Sequence, residues 1–292
     1  MSRDPAWWPP GRGTVSVPRG SRREAAAGLV LAGPSKRGPR LGTMVAWLAA
    51  RTIGPIVLHP WSRAADEEEA LALLDDLRAQ IGPFDAVATY RPRQVERRHR
   101  ALLLVRRGRP TAFVKVREEN AAIAAEQKAL QIVGGRRIAG VQVPSLLGCG
   151  TAGGSWWLAT TPLAPRPHRP IVDRDVTTLA AAVTEHLADL PRPQHAPDTW
   201  APCHGDLTPW NHRRVLGDGS WLFDWERARW APRNADLVLA AAARRALGRA
   251  CIAPAEGAEA VSWWLSDPEL TGSRDPLAQR MVLALRAMHP AV

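Results

Sequence analysis

The order of strand-like and helical segments limits most strongly which folds this chain can adopt. Before residue 161, short strand-like stretches alternate with turn sequences, whereas after residue 170 most segments repeat their apolar residues at helical spacing. The strand-like segments are 85–90, 101–105, 111–116, 141–147 and 156–160, and the helical segments are 66–81, 121–133, 176–190, 235–248 and two more towards the C-terminus. Strands first and helices afterwards predict an α+β protein with two lobes.

A Pro-rich run over residues 162–170 separates the strand-rich part from the helical part. Runs of this kind are typical of linkers. We therefore predict an N-terminal lobe over residues 44–161, built on a small antiparallel sheet, and a mostly helical C-terminal lobe over residues 162–292.

Residues 1–43 are crowded with Gly, Pro, Arg and Ser and show little periodicity. This composition predicts disorder. Met44 opens the first segment with the pattern of a globular protein, so a start of translation at Met44 is a hypothesis. N-terminal mass spectrometry of the native protein tests it, and detection of residues 1–43 would reject it.

The net charge of +11 raises nucleic acid as a partner. From residue 140 onwards, however, 15 arginines balance 15 acidic residues, so the whole excess lies before residue 140. The basic half lacks the interleaved aromatic residues that single-strand binders use. We interpret the arginine excess mainly as a coding bias, and we do not expect nucleic acid as a partner.

Apolar runs in this chain are short. The most apolar early stretch, 45–58, is interrupted by Arg51, and no run reaches the ~20 residues that a membrane span needs. We expect no membrane partner. Three cysteines at wide spacing, Cys149, Cys203 and Cys251, fit neither a disulfide framework nor a zinc site. With no apolar signal segment near the N-terminus, the sequence predicts a cytoplasmic protein.

A hairpin is predicted between residues 213 and 225. The sequence Gly217-Asp218-Gly219-Ser220 is a strong turn signal between two short apolar strands. Folding the chain about this turn places position 224 roughly opposite position 213, so Asn211 and Asp224 come close together. An amide oxygen and a carboxylate in this arrangement suit Mg²⁺, which takes oxygen ligands.

Asp206 precedes Asn211 by five residues, in a loop that contains Gly205 and Pro209. It can approach the same metal from outside the strands, as suits a carboxylate that orients an attacking hydroxyl and accepts its proton. A single Asp in a turn more often caps its own backbone. The spacing of Asp206, Asn211 and Asp224 together favours the catalytic interpretation.

Two motifs in this region resemble those of a known family. The run His204-Gly205-Asp206-Leu207-Thr208-Pro209-Trp210-Asn211 resembles the catalytic loop of the aminoglycoside phosphotransferase and choline kinase group, small-molecule relatives of protein kinases. Phe223-Asp224-Trp225-Glu226 resembles their metal-binding motif. The resemblance implies a two-lobed protein-kinase-like fold that uses ATP and Mg²⁺. It implies that Asp206 is the catalytic base, that Asn211 and Asp224 bind Mg²⁺, and that His204 braces the loop.

A kinase-like fold also requires a lysine on an upstream strand, paired with a glutamate on the next helix. Lys115 lies in the strand-like segment 111–116, in a chain that has only three lysines. Glu126 falls on the apolar stripe of the helix 121–133, where a carboxylate needs a partner. Lys115 is the preferred partner, and a nearby arginine is the alternative. We predict that Lys115 and Glu126 form the nucleotide-binding pair.

Two features stay open at this stage. Asp236 resembles the family's acidic residue after the metal motif, but helix capping explains its position equally well. The stretch 91–99 stands where protein kinases have a glycine-rich phosphate loop, and it contains no glycine. Its candidates for phosphate contacts are Arg91, Arg93, Arg97 and Arg98.

The predicted activity is transfer of the γ-phosphoryl group of ATP to a hydroxyl of a small molecule, such as an antibiotic, a sugar or a related metabolite. Aminoglycosides are polycations, and the balanced charge after residue 140 does not favour them. The alternative is a non-catalytic nucleotide-binding scaffold, which is disfavoured because Lys115, Asp206, Asn211 and Asp224 are all present. The sequence does not indicate an oligomeric state.

Overall fold

The computed structural model describes residues 6–8, 14–31, 37–61, 70–91, 100–172, 176–251 and 254–289. Over these ranges the chain is an α+β protein, as the order of its segments predicted. The strands are β1 (Ala6–Trp8), β2 (Val15–Val17), β3 (Ala86–Tyr90), β4 (Arg100–Arg106), β5 (Arg109–Arg117), β6 (Arg137–Ile138), β7 (Val141–Gln142), β8 (Leu146–Ala152), β9 (Ser155–Thr160), β10 (His168–Pro170), β11 (Trp200–Cys203), β12 (His212–Val215), β13 (Gly219–Leu222) and β14 (Arg229–Pro232). The helices are α1 (Arg22–Val30), α2 (Arg37–Thr52), α3 (Ala70–Gln80), α4 (Asn120–Val133), α5 (Thr177–His186), α6 (Ala235–Ala246), α7 (Ala258–Leu265), α8 (Pro268–Thr271) and α9 (Pro276–Arg286), and two 3₁₀ helices span Pro55–Trp61 and Trp225–Arg227.

The chain divides into two compact units, each assembled from several segments. The first consists of Met1–Gln127, Pro144–Arg169 and Arg214–Gly219, and the second of Lys128–Val143, Pro170–Arg213 and Ser220–Val292. The contiguous lobes predicted from the sequence, 44–161 and 162–292, stay a prediction.

The first unit is built on an antiparallel sheet with the strand order β1-β2-β3-β4-β5-β9-β8. Along β5, Ala112, Val114 and Val116 are buried in a core that includes Leu73 and Leu77 of α3. Because successive side chains of a strand point to opposite faces, Lys115 lies on the other face of the sheet. The sheet therefore fixes the direction in which the one lysine of β5 points.

The remaining strands form two small sheets. One has the order β10-β12-β13-β7-β6, and the other pairs β11 with β14. The predicted strand 141–147 is wrong as a single element, because β7 ends at Gln142 and β8 begins at Leu146. Pro144 lies between them and has no N–H to donate to a ladder.

The predicted disorder of residues 1–43 is wrong for the described parts of this range, residues 6–8, 14–31 and 37–43. There β2 pairs with β3, and α1 begins after Ser21, whose hydroxyl accepts a hydrogen bond from the Glu24 N–H at 3.2 Å. The sequence did not predict β2 and α1, because each is short, is surrounded by Gly- and Pro-rich sequence and is buried by residues distant in sequence.

Those distant residues form a core cluster with β2 and α1. Its fully buried members are Val15, Val17, Ala25, Leu29, Ala50 and Leu58. Four of the six precede residue 44, so a chain that started at Met44 would lack most of this core.

The helical core of the second unit is formed by α6, α7 and α9. Val238 of α6, Trp264 of α7 and Leu285 of α9 are fully buried together. The indole N–H of Trp264 also donates to the carbonyl of Ala235 at 2.8 Å, which ties α7 to the start of α6. Among the described residues, no helix has both the length and the apolar character needed to cross a bilayer.

Candidate active site

The predicted catalytic loop begins where β11 ends. β11 pairs with β14, and Cys203 lies opposite Arg229. This pairing places the residues after Cys203 beside the 3₁₀ helix Trp225–Arg227, which immediately precedes β14. A pair of short strands far apart in sequence therefore brings the loop next to the predicted metal-binding motif.

Asp236 holds the loop from behind. Its carboxylate accepts hydrogen bonds from the backbone N–H groups of His204 at 2.8 Å and Gly205 at 2.9 Å. Burial raises the pKa of Asp236 to about 6, although these N–H donors act to lower it. The sequence left its role open between a helix cap and a family acidic residue; the N-cap of α6 is Asn234, so Asp236 is a brace of the loop.

His204 is fully buried and contributes to the same support. Its Nδ1 atom accepts a hydrogen bond from the Asp206 N–H at 3.1 Å, and its ring lies 4.4 Å from the ring of Trp225, measured between centroids. Both contacts orient the backbone of the loop, in agreement with the bracing role that the resemblance implied.

Gly205 lies close against the backbone of the 3₁₀ helix. Its φ of +76° is in the left-handed region, and a Cβ atom there would lie 2.0 Å from the carbonyl oxygen of Arg227. No residue with a side chain fits this position without displacing one of the two segments.

Asn211 and Asp224 meet at the open end of the predicted hairpin. The Phe223 N–H donates to the Asn211 carbonyl at 3.2 Å, and the Asn211 side-chain amide donates to the Asp206 carbonyl at 3.1 Å. Asp224 has a φ of +72°, a conformation that costs a non-glycine residue free energy and that clusters at functional sites. The three predicted residues of this unit are therefore brought together.

The electrostatics of Asp206 reflect this proximity. Burial and the neighbouring carboxylate of Asp224 together raise its pKa to about 7, although Arg227 and hydrogen bonds from Thr208 and Asn211 act in the opposite direction. Two carboxylates that repel each other beside an amide oxygen form a donor set that fits a divalent cation such as Mg²⁺.

Arg227 belongs to a cluster that the sequence did not reveal. The Asp267 carboxylate accepts hydrogen bonds from Arg227 and, at 2.8 Å, from Arg229, and it also caps α8 through the N–H groups of Glu269 and Leu270. Arg227 reduces the negative potential at Asp206, so Asp267 acts on the site by holding that arginine. The sequence shows that Arg227 follows Asp224 by three residues, but it does not show that Asp267 contacts Arg227.

We expect Asp267→Asn to lower the free energy of unfolding by about 2 kcal/mol, because it removes a carboxylate that two arginines share. Asn can still cap the N-terminus of α8, so the substitution measures the effect of the charge separately from the effect of the cap. Burial alone would raise the pKa of Asp267, but Arg227 and Arg229 bring it below its usual value. The stabilisation is therefore present above about pH 4 and lost as the pH falls further.

Urea unfolding of both proteins at neutral pH and at successively lower pH measures this contribution. The difference between wild type and Asp267→Asn should shrink below about pH 4. A difference that grows as the pH falls would contradict the assignment.

In the first unit, the ammonium of Lys115 donates to both carboxylate oxygens of Glu126, at 2.8 and 2.7 Å. The two residues are 8% and 3% exposed, and Glu126 lies on the buried stripe of α4 with Ile123 and Leu130. The predicted ion pair is thus present, and an arginine is not needed to explain the burial of Glu126. The role of the pair in nucleotide binding stays a prediction.

We expect Lys115→Met to lower the free energy of unfolding by about 3 kcal/mol, because it removes the ammonium from a buried carboxylate. The double substitution Lys115→Met with Glu126→Leu should recover most of that loss. If Lys115 binds nucleotide, affinity for ATP stays low in both variants. Thermal unfolding and ATP titration measure the two effects separately, and an ATP affinity that recovers with stability would contradict a role in nucleotide binding.

Comparison with known proteins adds an independent observation. A model of the phosphotransferase enzyme family matches residues 164–268, a range that contains both the loop 204–211 and the motif 223–226. The resemblance predicted from the sequence is confirmed. The family match supports a phosphotransferase. A search of curated protein sequences finds no match.

Several solved structures are similar to the chain. A thermostable mutant of aminoglycoside phosphotransferase APH(4)-Ia gives a TM-score of 0.43 at 13% identity, over 72% of this chain and 88% of that chain. Spectinomycin phosphotransferase APH(9)-Ia gives a TM-score of 0.43 at 9% identity, over 75% of this chain and 94% of that chain. Amicoumacin kinase hAmiN gives a TM-score of 0.39 at 11% identity, over 78% of this chain and 79% of that chain. Because these values are low, the functional conclusion rests on the family match and on the geometry of the loop.

One predicted part of the site lies largely outside the described residues. Of the arginines considered for phosphate contacts, Arg91 is described and exposed, whereas residues 92–99, which include the other three, are not described. The hypothesis that these arginines bind phosphate stays a prediction. Unaltered ATP affinity after replacing all four with Ala would reject it.

Proposed function

We propose that this protein transfers the γ-phosphoryl group of ATP to a hydroxyl group of a small molecule, with Mg²⁺ bound by Asn211 and Asp224. The observation that carries the proposal is the grouping of Asp206, Asn211 and Asp224 by two hydrogen bonds, Asn211 Nδ2 to the Asp206 carbonyl and the Phe223 N–H to the Asn211 carbonyl. A loop and a strand end converge here on one carboxylate that can take a proton and two oxygen donors that can hold a cation.

Asp206 has the role of general base. Its carboxylate accepts the proton of the acceptor hydroxyl, the hydroxyl oxygen bonds to the γ-phosphorus, and the bond from that phosphorus to the ADP oxygen breaks. A pKa of about 7 suits a group that takes up a proton near neutral pH. Asp236 and His204 contribute by fixing the backbone on which Asp206 is carried.

Asn211 and Asp224 are the proposed ligands of the metal. The side-chain nitrogen of Asn211 donates to the loop, so its oxygen is the atom that remains for a cation. When bound, Mg²⁺ would offset the negative charge of the phosphate oxygens. It would also offset the repulsion between Asp206 and Asp224 that raises the pKa of Asp206.

Lys115 is the proposed ligand of phosphate oxygens on the nucleotide. Glu126 holds its ammonium in place with two hydrogen bonds and neutralises part of its charge. A lysine that is fixed in this way loses little conformational entropy when it binds phosphate.

The proposed acceptor is an antibiotic, a sugar or a related metabolite with a free hydroxyl. Residues 140–292 carry 15 arginines and 15 acidic residues, so this part of the chain offers no net negative charge to attract a polycation. An uncharged or weakly charged acceptor fits better than an aminoglycoside.

A cytoplasmic location is part of the proposal, because ATP is available there. The cysteines Cys149, Cys203 and Cys251 are all free thiols, which is compatible with a reducing compartment.

The proposal is tested by screening antibiotics and sugars for Mg²⁺-dependent consumption of ATP, with Asp224→Ala as the control. We expect at least one acceptor to stimulate ATP consumption in the wild-type protein and not in Asp224→Ala. ATP that binds but is never consumed above the rate of Asp224→Ala, with any acceptor, would favour the non-catalytic scaffold.

A further inference from the structure

The helix α2 turns its larger apolar side chains towards solvent. Leu41, Met44, Val45 and Leu48 follow one another at spacings of three, one and three residues and are 59%, 46%, 60% and 55% exposed. Residues at this spacing lie on one face of a helix. We call these four residues the exposed stripe. The opposite face of α2 packs inwards through Thr43 and Ala50.

Two hydrogen bonds hold α2 in this orientation. The indole N–H of Trp47 donates to the carbonyl of Pro165 at 3.1 Å, and the indole N–H of Trp8 donates to the hydroxyl of Thr43 at 3.3 Å. Ala50 is fully buried in the core cluster with β2 and α1. The exposure of the stripe therefore follows from the packing of the helix.

Apolar exposure is concentrated at this helix. Ile53 and Ile56, directly after it, are 63% and 58% exposed, so residues 41–56 contain six of the twelve exposed large apolar side chains in the described part of the chain. Single exposed apolar residues are ordinary, whereas a contiguous group marks a contact surface.

The sequence segment that contains α2 carries charge of one sign. Between Glu24 and Asp66 the sequence contains no acidic residue and five basic ones, Lys36, Arg37, Arg40, Arg51 and Arg63. Arg40 and Arg51 are eleven residues apart, which is about three helical turns, so both lie along the same edge of α2. The Arg51 guanidinium lies 5.4 Å from the ring of Trp47, which places an aromatic side chain beside it.

A second copy of the chain fits this surface poorly. A helix of 16 residues is about 24 Å long and about 10 Å wide, so one face covers less than a third of the ~800 Å² that each partner of a stable interface buries. Pairing two such helices would also bring Arg40 and Arg51 of both chains together, and like charges repel. An anionic partner matches the charge.

We propose that α2 lies on an anionic lipid surface, with the exposed stripe inserted among the acyl chains and Arg40 and Arg51 at the level of the lipid phosphates. A helix that combines an apolar face, basic residues and no acidic ones binds membrane interfaces in this way. This proposal departs from the sequence-based expectation of no membrane partner, and the experiment below decides between the two.

Co-sedimentation of the full chain with lipid vesicles tests the proposal. We expect the protein to sediment with vesicles of phosphatidylcholine and phosphatidylserine and to remain in solution with phosphatidylcholine alone. Leu48→Asp should weaken binding about tenfold or more, because it replaces an inserted apolar side chain with a charge. Arg51→Ala should weaken it about fivefold. The matched control is Leu283→Asp on α9, where the leucine is 61% exposed, and it should bind as the wild type does.

Several results would overturn the proposal. One is wild-type protein that stays in solution with both kinds of vesicle, and another is binding that Leu48→Asp and Val45→Asp leave unchanged. Analytical ultracentrifugation without lipid tests the alternative that the stripe binds a second copy of the chain. If the protein does not bind vesicles but forms a dimer that Leu48→Asp dissociates, the stripe is a dimer interface. Circular dichroism of each variant confirms that it is folded before its binding is interpreted.

Discussion

Asp206→Asn is expected to lower the rate of phosphoryl transfer about a thousandfold while leaving the fold intact. The amide keeps the size of the carboxylate but cannot take the proton of an acceptor hydroxyl. Because burial and Asp224 already disfavour a charge at this position, the loss of that charge should not destabilise the loop. The backbone N–H and carbonyl of Asp206, which bond to His204 and Asn211, are unchanged.

The measurement is the initial rate of ATP consumption with a saturating acceptor, together with the affinity for Mg²⁺ and a non-hydrolysable ATP analogue. The rate should fall while the affinity changes little. The matched control is Asp189→Asn, which alters an exposed carboxylate in the turn after α5. It should retain the wild-type rate. A rate in Asp206→Asn within a few-fold of the wild type would exclude Asp206 as the base.

Gly205→Ala is expected to remove activity and to lower the free energy of unfolding by at least about 3 kcal/mol. The added Cβ would lie 2.0 Å from the Arg227 carbonyl oxygen, and the neighbour is backbone, which cannot rotate away. Either the loop moves away from Asp236 and loses two buried hydrogen bonds, or the 3₁₀ helix moves and takes Asp224 with it. Both movements separate the groups that the reaction needs.

Gly248→Ala provides the control for backbone strain. Its φ of +73° is close to that of Gly205, but nothing lies within 4 Å of the added Cβ. It should cost only the ~1 kcal/mol of the left-handed conformation and leave activity unchanged. Chemical denaturation of both variants separates the cost of backbone strain from the cost of the steric clash with Arg227. Equal losses of unfolding free energy in the two variants would show that the contact with Arg227 is unimportant.

The parts of the fold that could be predicted are those specified by local pattern. The hairpin around Gly217 was predictable because its turn sequence permits few conformations, and it carried Asn211 and Asp224 to the same end. The pair of Lys115 and Glu126 was predictable because a carboxylate on the buried stripe of a helix requires a cation. In both cases one short segment contained the physical reason.

The parts that could not be predicted depend on residues distant in sequence. The segment 14–31 is ordered because Ala25 and Leu29 bury against Ala50 and Leu58, and its own composition resembles that of a disordered chain. The helix α1 is rich in alanine and has no strongly apolar stripe, so no local periodicity marks its buried side.

The same limit applies to the support of the catalytic loop. Asp236 lies 31 residues from Gly205, and Asp267 lies 40 residues from Arg227. Each contact depends on how α6 and α8 pack, and packing is not encoded in a motif. The grouping of Asp206, Asn211 and Asp224 could therefore be predicted, whereas the contacts by which Asp236 and Asp267 hold the site could not.

The central claim is tested most directly by the mass of the acceptor after incubation with ATP and Mg²⁺. For the acceptor that stimulates ATP consumption, we expect mass spectrometry to detect one added phosphoryl group on a hydroxyl with the wild-type protein and none with Asp206→Asn. An acceptor that stays unmodified while ATP is converted to ADP and free phosphate, or one that Asp206→Asn phosphorylates at the wild-type rate, would contradict the account.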